Sequence, residues 1–363
     1  MKIIYKYIFH ELVTPLIFGI TAFVGIFVGT DLLFELTGYY SNYNITLWTL
    51  IRLFFLNLPA IIVLSFPMAT LLATIMAYSR LSGDEEITAF KAGGISVYKL
   101  VVPALIMGLA LSLLTIGINE YIVPAANYTS SRIINEFRRG EILPETQSNL
   151  FLTPVGDKGP DYILYVQEFD SEKGIMNNVV LQNFEEGKPV TIIEARQGEW
   201  TDDFWQFSGG QVFHLQAGER VSELKFENFQ VERIAYTPGQ IAKMNKTVDD
   251  MNLTEFKEHI KLLEQQGKKT EEKWVEWHQR LSIPFANFIF TLVAVSMGIK
   301  PKRSGGSAMG MGLTIIIIFI YYVMMTVANL LGGDGIIPPW MGAWIQNIVF
   351  FIIGGILLFK RAG

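Results

Sequence analysis

Six long stretches of the chain contain no charged residue, and they fall into two groups of three. The charge-free windows are 12–30, 53–79 and 100–119 before a long polar stretch, and 281–299, 304–333 and 335–359 after it. A helix that crosses a bilayer needs about 20 apolar residues. Buried core helices of a soluble protein would be the other interpretation, but six such windows are untypical of soluble domains. The pattern therefore predicts an α-helical polytopic membrane protein with six transmembrane helices, three plus three.

The polar stretch between the two groups has the pattern of an all-β domain. Runs rich in Val, Ile, Phe, Tyr and Trp cover 162–169, 178–184, 191–200, 204–215 and 224–234, and turn residues separate them. Short strands at this spacing are typical of a sandwich or jelly roll. A helix follows over 253–267. Such a domain could hold an acyl chain between its sheets, lined by Tyr165, Val180, Ile193, Phe207, Phe213 and Phe226, or it could serve only as a spacer.

These patterns divide the chain into three expected regions. Residues 1–124 hold helices 1–3 with a polar loop at about 80–99, residues 125–275 hold the jelly-roll-like β domain and the linking helix 253–267, and residues 276–363 hold helices 4–6. The first apolar run is too long for a signal-peptide core and lacks a small-residue cleavage site, so we expect a retained helix.

The positive charges of the short loops predict the orientation of the chain. Ten of them fall on one side of the six predicted helices: Lys2, Lys6, Arg80, Lys91, Lys99, Lys300, Lys302, Arg303, Lys360 and Arg361. The opposite short loops, about 37–52 and 332–340, hold only Arg52. Cytoplasmic loops carry the excess of lysine and arginine. We therefore expect both termini in the cytoplasm and the β domain outside it.

The composition excludes several kinds of chemistry. Cysteine is absent, and the net charge of −5 gives no basic footprint for nucleic acid. Gly187-Lys188 and Gly267-Lys268 are not followed by Ser or Thr, so there is no phosphate-binding Walker motif. The four histidines are scattered, without metal-ligand spacing. We expect no catalytic residues, no cofactor and no metal. The predicted helices also lack ionisable residues near mid-membrane, which argues against an ion-coupled transporter.

Three segments of the chain carry a resemblance to a known family. The segment 80–96 reads RLSGDEEITAFKAGGIS and lies between the second and third windows. The segments 277–284, WHQRLSIP, and 337–344, IPPWMGAW, enter the fourth and sixth windows. In this order and with the three-plus-three layout, they resemble the lipopolysaccharide export permeases (YjgP/YjgQ, LptF/LptG type), and the third segment looks more like the G-type.

The resemblance implies a permease subunit of an ABC-type lipopolysaccharide exporter in the bacterial inner membrane. Members of this family pair with a second permease subunit and bind a separate cytoplasmic ATPase, which is LptB-like. They extract lipopolysaccharide from the membrane and pass it to periplasmic bridge proteins, which are LptC- and LptA-like. A chain without its own nucleotide-binding motif fits this division of labour.

The loop 80–99 is the expected site of contact with the ATPase. Its pattern is helical, with Asp84, Glu85 and Glu86 in the first turn, where carboxylates suit the helix dipole. Ile87, Phe90 and Ile95 could form an apolar anchor in a partner groove. Composition alone favours a capped helix with solvated charges. The resemblance implies that Glu86 contacts a basic residue of the ATPase, with Glu85, Ile87 and Phe90 beside it.

Lipid binding and subunit contact are predicted from two further patterns. A lipopolysaccharide site needs basic groups at the outer rim of an apolar cavity. The predicted lipid-binding residues are Arg52, Arg132, Arg138 and Arg139 at the rim and Leu32, Phe55, Ile317 and Tyr321 in the wall. The small-residue pairs Gly25 with Gly29 and Gly306 with Gly310 are the candidates for a gate or subunit interface. The first helix departs from the family, since it carries Asp31 and Glu35 where G-type members carry lysines.

Two other functions remain open from the sequence. The same scaffold could export another envelope lipid or a glycan. A membrane-anchored sensor or assembly factor, with a protein-binding outer domain, would also fit the layout. A sensor would not need the acidic loop to dock an ATPase, so co-purification with an ATPase separates these functions.

Overall fold

The computed structural model describes most of the chain. The described residues are 2–43, 45–139, 146–153, 155–156, 159–170, 173–185, 188–201, 204–216, 219–231, 234, 236–238, 241, 247–265, 267–299 and 307–362. They divide into two compact units, one made of Met1–Arg138 with Glu271–Gly363 and the other of Arg139–Thr270.

The first unit is helical. Before the β domain come α1 (Lys2–Phe27), α2 (Leu33–Tyr43), α3 (Leu47–Gly83), α4 (Glu86–Ala92), α5 (Val97–Gly117) and α6 (Val123–Arg139). After it come α8 (Glu271–Gly298), α9 (Ser307–Gly333) and α10 (Pro339–Ala362). Six stretches of the described chain are long and apolar enough to cross a membrane. Each contains most of one predicted window, so the prediction of six helices is confirmed.

Two of the long helices change their winding at one point. A π-helical segment, Val28–Leu32, joins α1 to α2, and a second, Ile118–Ile122, joins α5 to α6. Such π segments are rare, and they occur often at functional sites. A more polar helix, α2 or α6, continues from each π segment. The combined helix is therefore longer than its apolar window.

The buried helix α8 occupies the centre of the helical unit. Its side chains pack against α3, α5, α9 and α10, and every residue from Ile289 to Ser296 is buried. The helix belongs to the second group of three, while α3 and α5 belong to the first. The two halves of the sequence therefore build one helical body.

The second unit is the predicted all-β domain, and the fold class is confirmed. Its strands are β1 (Thr146–Leu152), β2 (Val155–Gly156), β3 (Gly159–Pro160), β4 (Tyr162–Asp170), β5 (Ile175–Glu185), β6 (Lys188–Thr201), β7 (Phe204–Gln216) and β8 (Glu219–Val231). Six of the described strands form one antiparallel sheet in the order β1-β4-β5-β6-β7-β8. Among the described strands, β4 to β8 follow one another as a meander, and β2 and β3 pair separately as a two-stranded sheet.

One face of this sheet holds the core of the domain. Trp205 and Phe207 are fully buried there, and the indole N–H of Trp205 donates to the carbonyl of Tyr236 at 3.0 Å. The helix α7 (Leu253–Gln265) begins with a capping box, in which Asn252 and Glu255 exchange backbone and side-chain hydrogen bonds. Its Leu262 packs against the same core.

Candidate functional site

The polar loop between α3 and α5 is built around a tight turn. α3 ends at Gly83, and the N–H of Asp84 donates to the carbonyl of Arg80 at 2.9 Å. Glu85 then takes a left-handed conformation with φ of 60°, and α4 begins at Glu86. Of the three acidic residues predicted in the first turn of the loop helix, only Glu86 lies there. Asp84 belongs to the end of α3, because the turn at Glu85 separates the two helices.

Glu86 is held by a residue from the far end of the sequence. The hydroxyl of Tyr7, in α1, lies 2.8 and 3.0 Å from the two carboxylate oxygens of Glu86. The side chain of Glu86 is half-buried, whereas Asp84 and Glu85 are exposed. The carboxylate is therefore fixed in one orientation and still reaches the surface.

The apolar residues of the loop face inwards. Ile87 is 5% exposed and belongs to the loop cluster, which we define as buried residues of α1, α3, α4, α5 and α8 that include Ile8, Leu12, Tyr78 and Val97. Phe90 and Ile95 pack against it and are half-buried. The burial of Ile87 gives it a different task from the anchor expected from the sequence, because its side chain fastens α4 to the helical unit.

A salt bridge fixes the other side of the same loop. Arg80, near the end of α3, lies 2.5 Å from the carboxylate of Glu11 in α1 and 3.4 Å from that of Asp84. Glu11 is mostly buried, with 15% of its side chain exposed. Thus α1 contacts the loop at two points, through Glu11 before the turn and through Tyr7 after it.

The predicted basic rim is partly assembled. Arg52 and Arg132 are exposed, and the residues that follow them, Leu53 and Ile133, share a cluster with Leu32, which we call the rim cluster. The amide of Asn57 in α3 donates to Ser130 in α6 at 3.3 Å. The helices that carry the two arginines therefore contact each other at this point. The side chains of Arg138 and Arg139 lie outside the described part of the structure.

The residues predicted for the cavity wall are not on one surface. Leu32 is 3% exposed within the rim cluster, and Phe55 is 63% exposed. Ile317 and Tyr321 are buried in another group, the central cluster, with Phe290 of α8 and Phe350 of α10. Apolar character alone did not distinguish these positions, because both a core and a lipid-facing surface select it.

The two pairs of small residues differ in how much of them is described. Gly25 and Gly29 are exposed, and a Cβ added at either would meet nothing within 4 Å. Gly306 lies outside the described residues, and Gly310 lies in α9. Gly19 differs, since its added Cβ would come within 3.1 Å of Ala69. In α1, therefore, Gly19 serves the contact with α3, while Gly25 and Gly29 leave a face open.

Sequence reasoning missed a polar junction inside the helical unit. Asn287 of α8 is fully buried, and its Oδ1 accepts a hydrogen bond from the hydroxyl of Thr70 in α3 at 3.0 Å. Its Nδ2 lies 3.3 Å from the hydroxyl of Thr115 in α5. A second asparagine, Asn347 of α10, accepts from Tyr321 at 2.9 Å and donates to the carbonyl of Ser282 at 2.7 Å. A search for amides within the charge-free windows would have found both.

The β domain contains two hollows on opposite faces of its sheet. One, of 480 Å³, is lined on the core face by Leu181, Ile193, Val212, Leu224 and Phe229 among others. The other, of 600 Å³, is polar and includes Tyr165, Val180, Arg196 and Lys225. Of the six residues predicted to line an acyl site, Ile193 lies on the apolar hollow. Tyr165 and Val180 point the other way, because side chains alternate along a strand.

Among the described residues, no group of three or more His, Cys, Asp or Glu could hold a metal ion. The arrangement of side chains in the helical unit is instead one of contacts between helices. It offers a fixed surface carboxylate on one loop and exposed cations beside the rim cluster.

Comparison with known proteins matches residues 6–361 to the family model described as lipopolysaccharide export system permease LptF/LptG. The chain is 20% identical over 310 residues to lipopolysaccharide export system permease protein LptG of Escherichia coli K12, covering 85% of this chain and 84% of that protein. It is 20% identical over 329 residues to LptG of Haemophilus influenzae, with 87% of each chain covered. Identity to LptF of Escherichia coli K12 is 20% over 317 residues, covering 83% of this chain and 80% of the relative.

Proposed function

The chain belongs to the LptF/LptG family of lipopolysaccharide export system permeases, and we propose that it is the subunit through which a separate ATPase drives lipid extraction. Its six apolar helices and its permease relatives make it a multi-pass protein of the inner membrane and a component of transport. The proposal concerns where the ATPase contacts this chain and which surface the lipid passes.

We propose that the loop with α4 docks the cytoplasmic ATPase. The observation that carries this proposal is the fixed carboxylate of Glu86, which is half-buried and bonded to Tyr7 at 2.8 Å. An ionised carboxylate has about four acceptor sites, so Glu86 can bond Tyr7 and a basic side chain of a partner together. Glu85 is exposed beside it, Phe90 is half-buried, and Ile87 holds the loop in place.

The distribution of positive charge supports a cytoplasmic position for this loop. Lys91 lies in the last turn of α4, Lys99 near the start of α5, and Lys360 and Arg361 in the last turn of α10. Lysine and arginine accumulate in cytoplasmic loops. With both termini on that side, the β domain lies in the periplasm, where it can pass lipid to bridge proteins.

The lipid path in this proposal runs past the rim cluster. Arg52 and Arg132 are exposed beside Leu32 and its neighbours, and guanidinium groups bind phosphates in a bidentate manner. Arg138 and Arg139 follow in the same helix as Arg132. The open face at Gly25 and Gly29 is suited to a second permease subunit, because small residues allow two helices to approach closely.

The decisive experiment reverses the charge of Glu86. We expect Glu86→Lys to abolish lipopolysaccharide transport and to weaken ATPase association, since a like charge would face the basic partner. Asp84→Ala is the matched control; its salt bridge to Arg80 is exposed, and solvent-exposed ion pairs contribute little to stability. Association is measured by pull-down from membranes and transport by release of lipopolysaccharide from proteoliposomes.

A charge swap makes the test specific. An acidic residue placed in the ATPase groove opposite Glu86→Lys should restore part of the transport. Wild-type association and transport by Glu86→Lys would refute the coupling role.

A further inference from the structure

The N-terminal part of α1 contacts the loop through two residues, Tyr7 and Glu11. Tyr7 and Glu11 are four residues apart and so share one face of the helix. Tyr7 lies 2.8 and 3.0 Å from the oxygens of Glu86, and Glu11 lies 2.5 Å from Arg80. Ile8 and Leu12, which directly follow them in the sequence, are 1% and 0% exposed and belong to the loop cluster. The start of α1 and the loop are therefore packed and bonded as one piece.

The hydroxyl of Tyr7 restricts a side chain that would otherwise be mobile. Glutamate has several rotatable bonds, and ordering it when a partner binds costs conformational entropy. Glu86 begins a short helix, and the backbone before it adopts the left-handed conformation at Glu85. A bond to both carboxylate oxygens from a neighbouring helix fixes the direction of the group before any partner arrives.

We propose that Tyr7 is the positioning residue of the docking site: its hydroxyl holds the Glu86 carboxylate in the orientation in which a basic side chain of the ATPase meets it. This inference rests on the proposed docking role of Glu86. It adds a second helix to the site, because the carboxylate that the partner meets is bonded to α1. The carboxylate keeps free acceptor sites for the partner while it is bonded to Tyr7.

The test removes one oxygen atom. Tyr7→Phe keeps the ring and loses the hydroxyl, and Tyr5→Phe is the matched control, since residues two apart do not share a helix face. The full-length permease is placed in nanodiscs and titrated with a purified LptB-like ATPase. We expect Tyr7→Phe to weaken ATPase binding about three- to tenfold, and Tyr5→Phe to leave it unchanged.

A second background separates positioning from mere support of the fold. In Glu86→Gln, which lacks the charged acceptor, Tyr7→Phe should cause no further loss of affinity. A loss of equal size in both backgrounds, or binding by Tyr7→Phe that equals that of Tyr5→Phe, would overturn the inference.

The Glu86→Lys variant, titrated in parallel, distinguishes the two failures. If it binds the ATPase as the wild type does, the proposed docking site and the proposed role of Tyr7 are both refuted. If it loses the ATPase while Tyr7→Phe binds normally, the docking site stands and only the role of Tyr7 is refuted.

Discussion

Asn287 is the side chain on which three membrane helices converge. It bonds Thr70 of α3 and lies within bonding distance of Thr115 of α5, and it is fully buried in α8. Polar contacts between membrane helices contribute about 0.6 kcal/mol on average and up to 2 kcal/mol in favourable cases. Asn287 makes two of them, one to each of two neighbouring helices.

Replacement of Asn287 by leucine should therefore destabilise the helical unit. We expect a loss of about 1–2 kcal/mol, because the contacts of Asn287 with the hydroxyls of Thr70 and Thr115 are lost and leucine matches the volume only roughly. The measurement is reversible unfolding of the full chain in bicelles. Thr21→Val is the control, since its hydroxyl is exposed and bonds the carbonyl of Ile17 in its own helix. Equal stability of the two variants would contradict the role of Asn287.

The residues of the proposed docking site illustrate how far sequence patterns reach at this scale. Glu86 was predicted, because acidic residues at the start of a short helix and a family resemblance both point to it. Tyr7 was not, because its partner lies 79 residues away and a tyrosine near the start of an apolar helix is also typical of a membrane interface. Contacts between distant segments leave no local pattern.

The crossing of α5 and α8 depends on the absence of a side chain. A Cβ added at Gly108 would lie 2.9 Å from the Cβ of Thr291 and 3.2 Å from the carbonyl oxygen of Asn287. Both atoms belong to the closely packed helix α8, so neither can move away by itself. The two helices can therefore approach this closely only at glycine.

Gly108→Ala should force these helices apart. We expect a destabilisation of about 1–3 kcal/mol, as for overpacking in other tight interiors, with a smaller bicelle unfolding free energy as the readout. Gly117→Ala, at the end of the same helix, would meet nothing within 4 Å and should be neutral or slightly stabilising. If the two alanine variants unfold alike, the close crossing does not limit stability.

At the scale of elements, the composition of the segments predicted where the helices and strands lie. It did not predict where the hydrogen-bond pattern within a helix changes. The six helices follow from charge-free windows and the strands β4 to β8 from short β-branched and aromatic runs between turns. The π segments Val28–Leu32 and Ile118–Ile122 were not predicted. In a π segment, each backbone N–H bonds a carbonyl one residue further away than in an α-helix. This change alters the spacing of the hydrophobic residues too little to be recognised in the sequence.

At the scale of the whole molecule, the two hollows of the β domain allow a test of which face of the sheet contacts lipid during transport. A photo-cross-linking amino acid at Ile193, on the apolar hollow, should capture lipid while the ATPase hydrolyses ATP. The same label at Tyr165, on the polar face, is the control and should capture little. Mass spectrometry of the adduct should identify lipopolysaccharide. Equal capture at Ile193 without ATP would indicate passive contact instead of transfer.

The domain order was readable from the sequence because charge and apolar character are segregated so completely between the two units. The wall of the proposed lipid path could not be predicted from the sequence. Ile317 and Tyr321 are as apolar as a lipid-facing surface requires, but they lie in the central cluster. Assigning them needed the packing partners, which depend on helices from both halves of the chain.

The distance between the two halves has a consequence for synthesis of the protein. Asn287 follows Thr115 by 172 residues and Thr70 by 217. At about 5–20 residues per second, a ribosome needs roughly 10 to 30 s to translate the stretch from Thr115 to Asn287. During that time α3 and α5 are already in the bilayer without the helix that joins them. Their threonine hydroxyls bond the carbonyls of Phe66 and Leu111, each at 2.7 Å, so the nascent half-protein carries neither as a bare polar group in lipid while it waits.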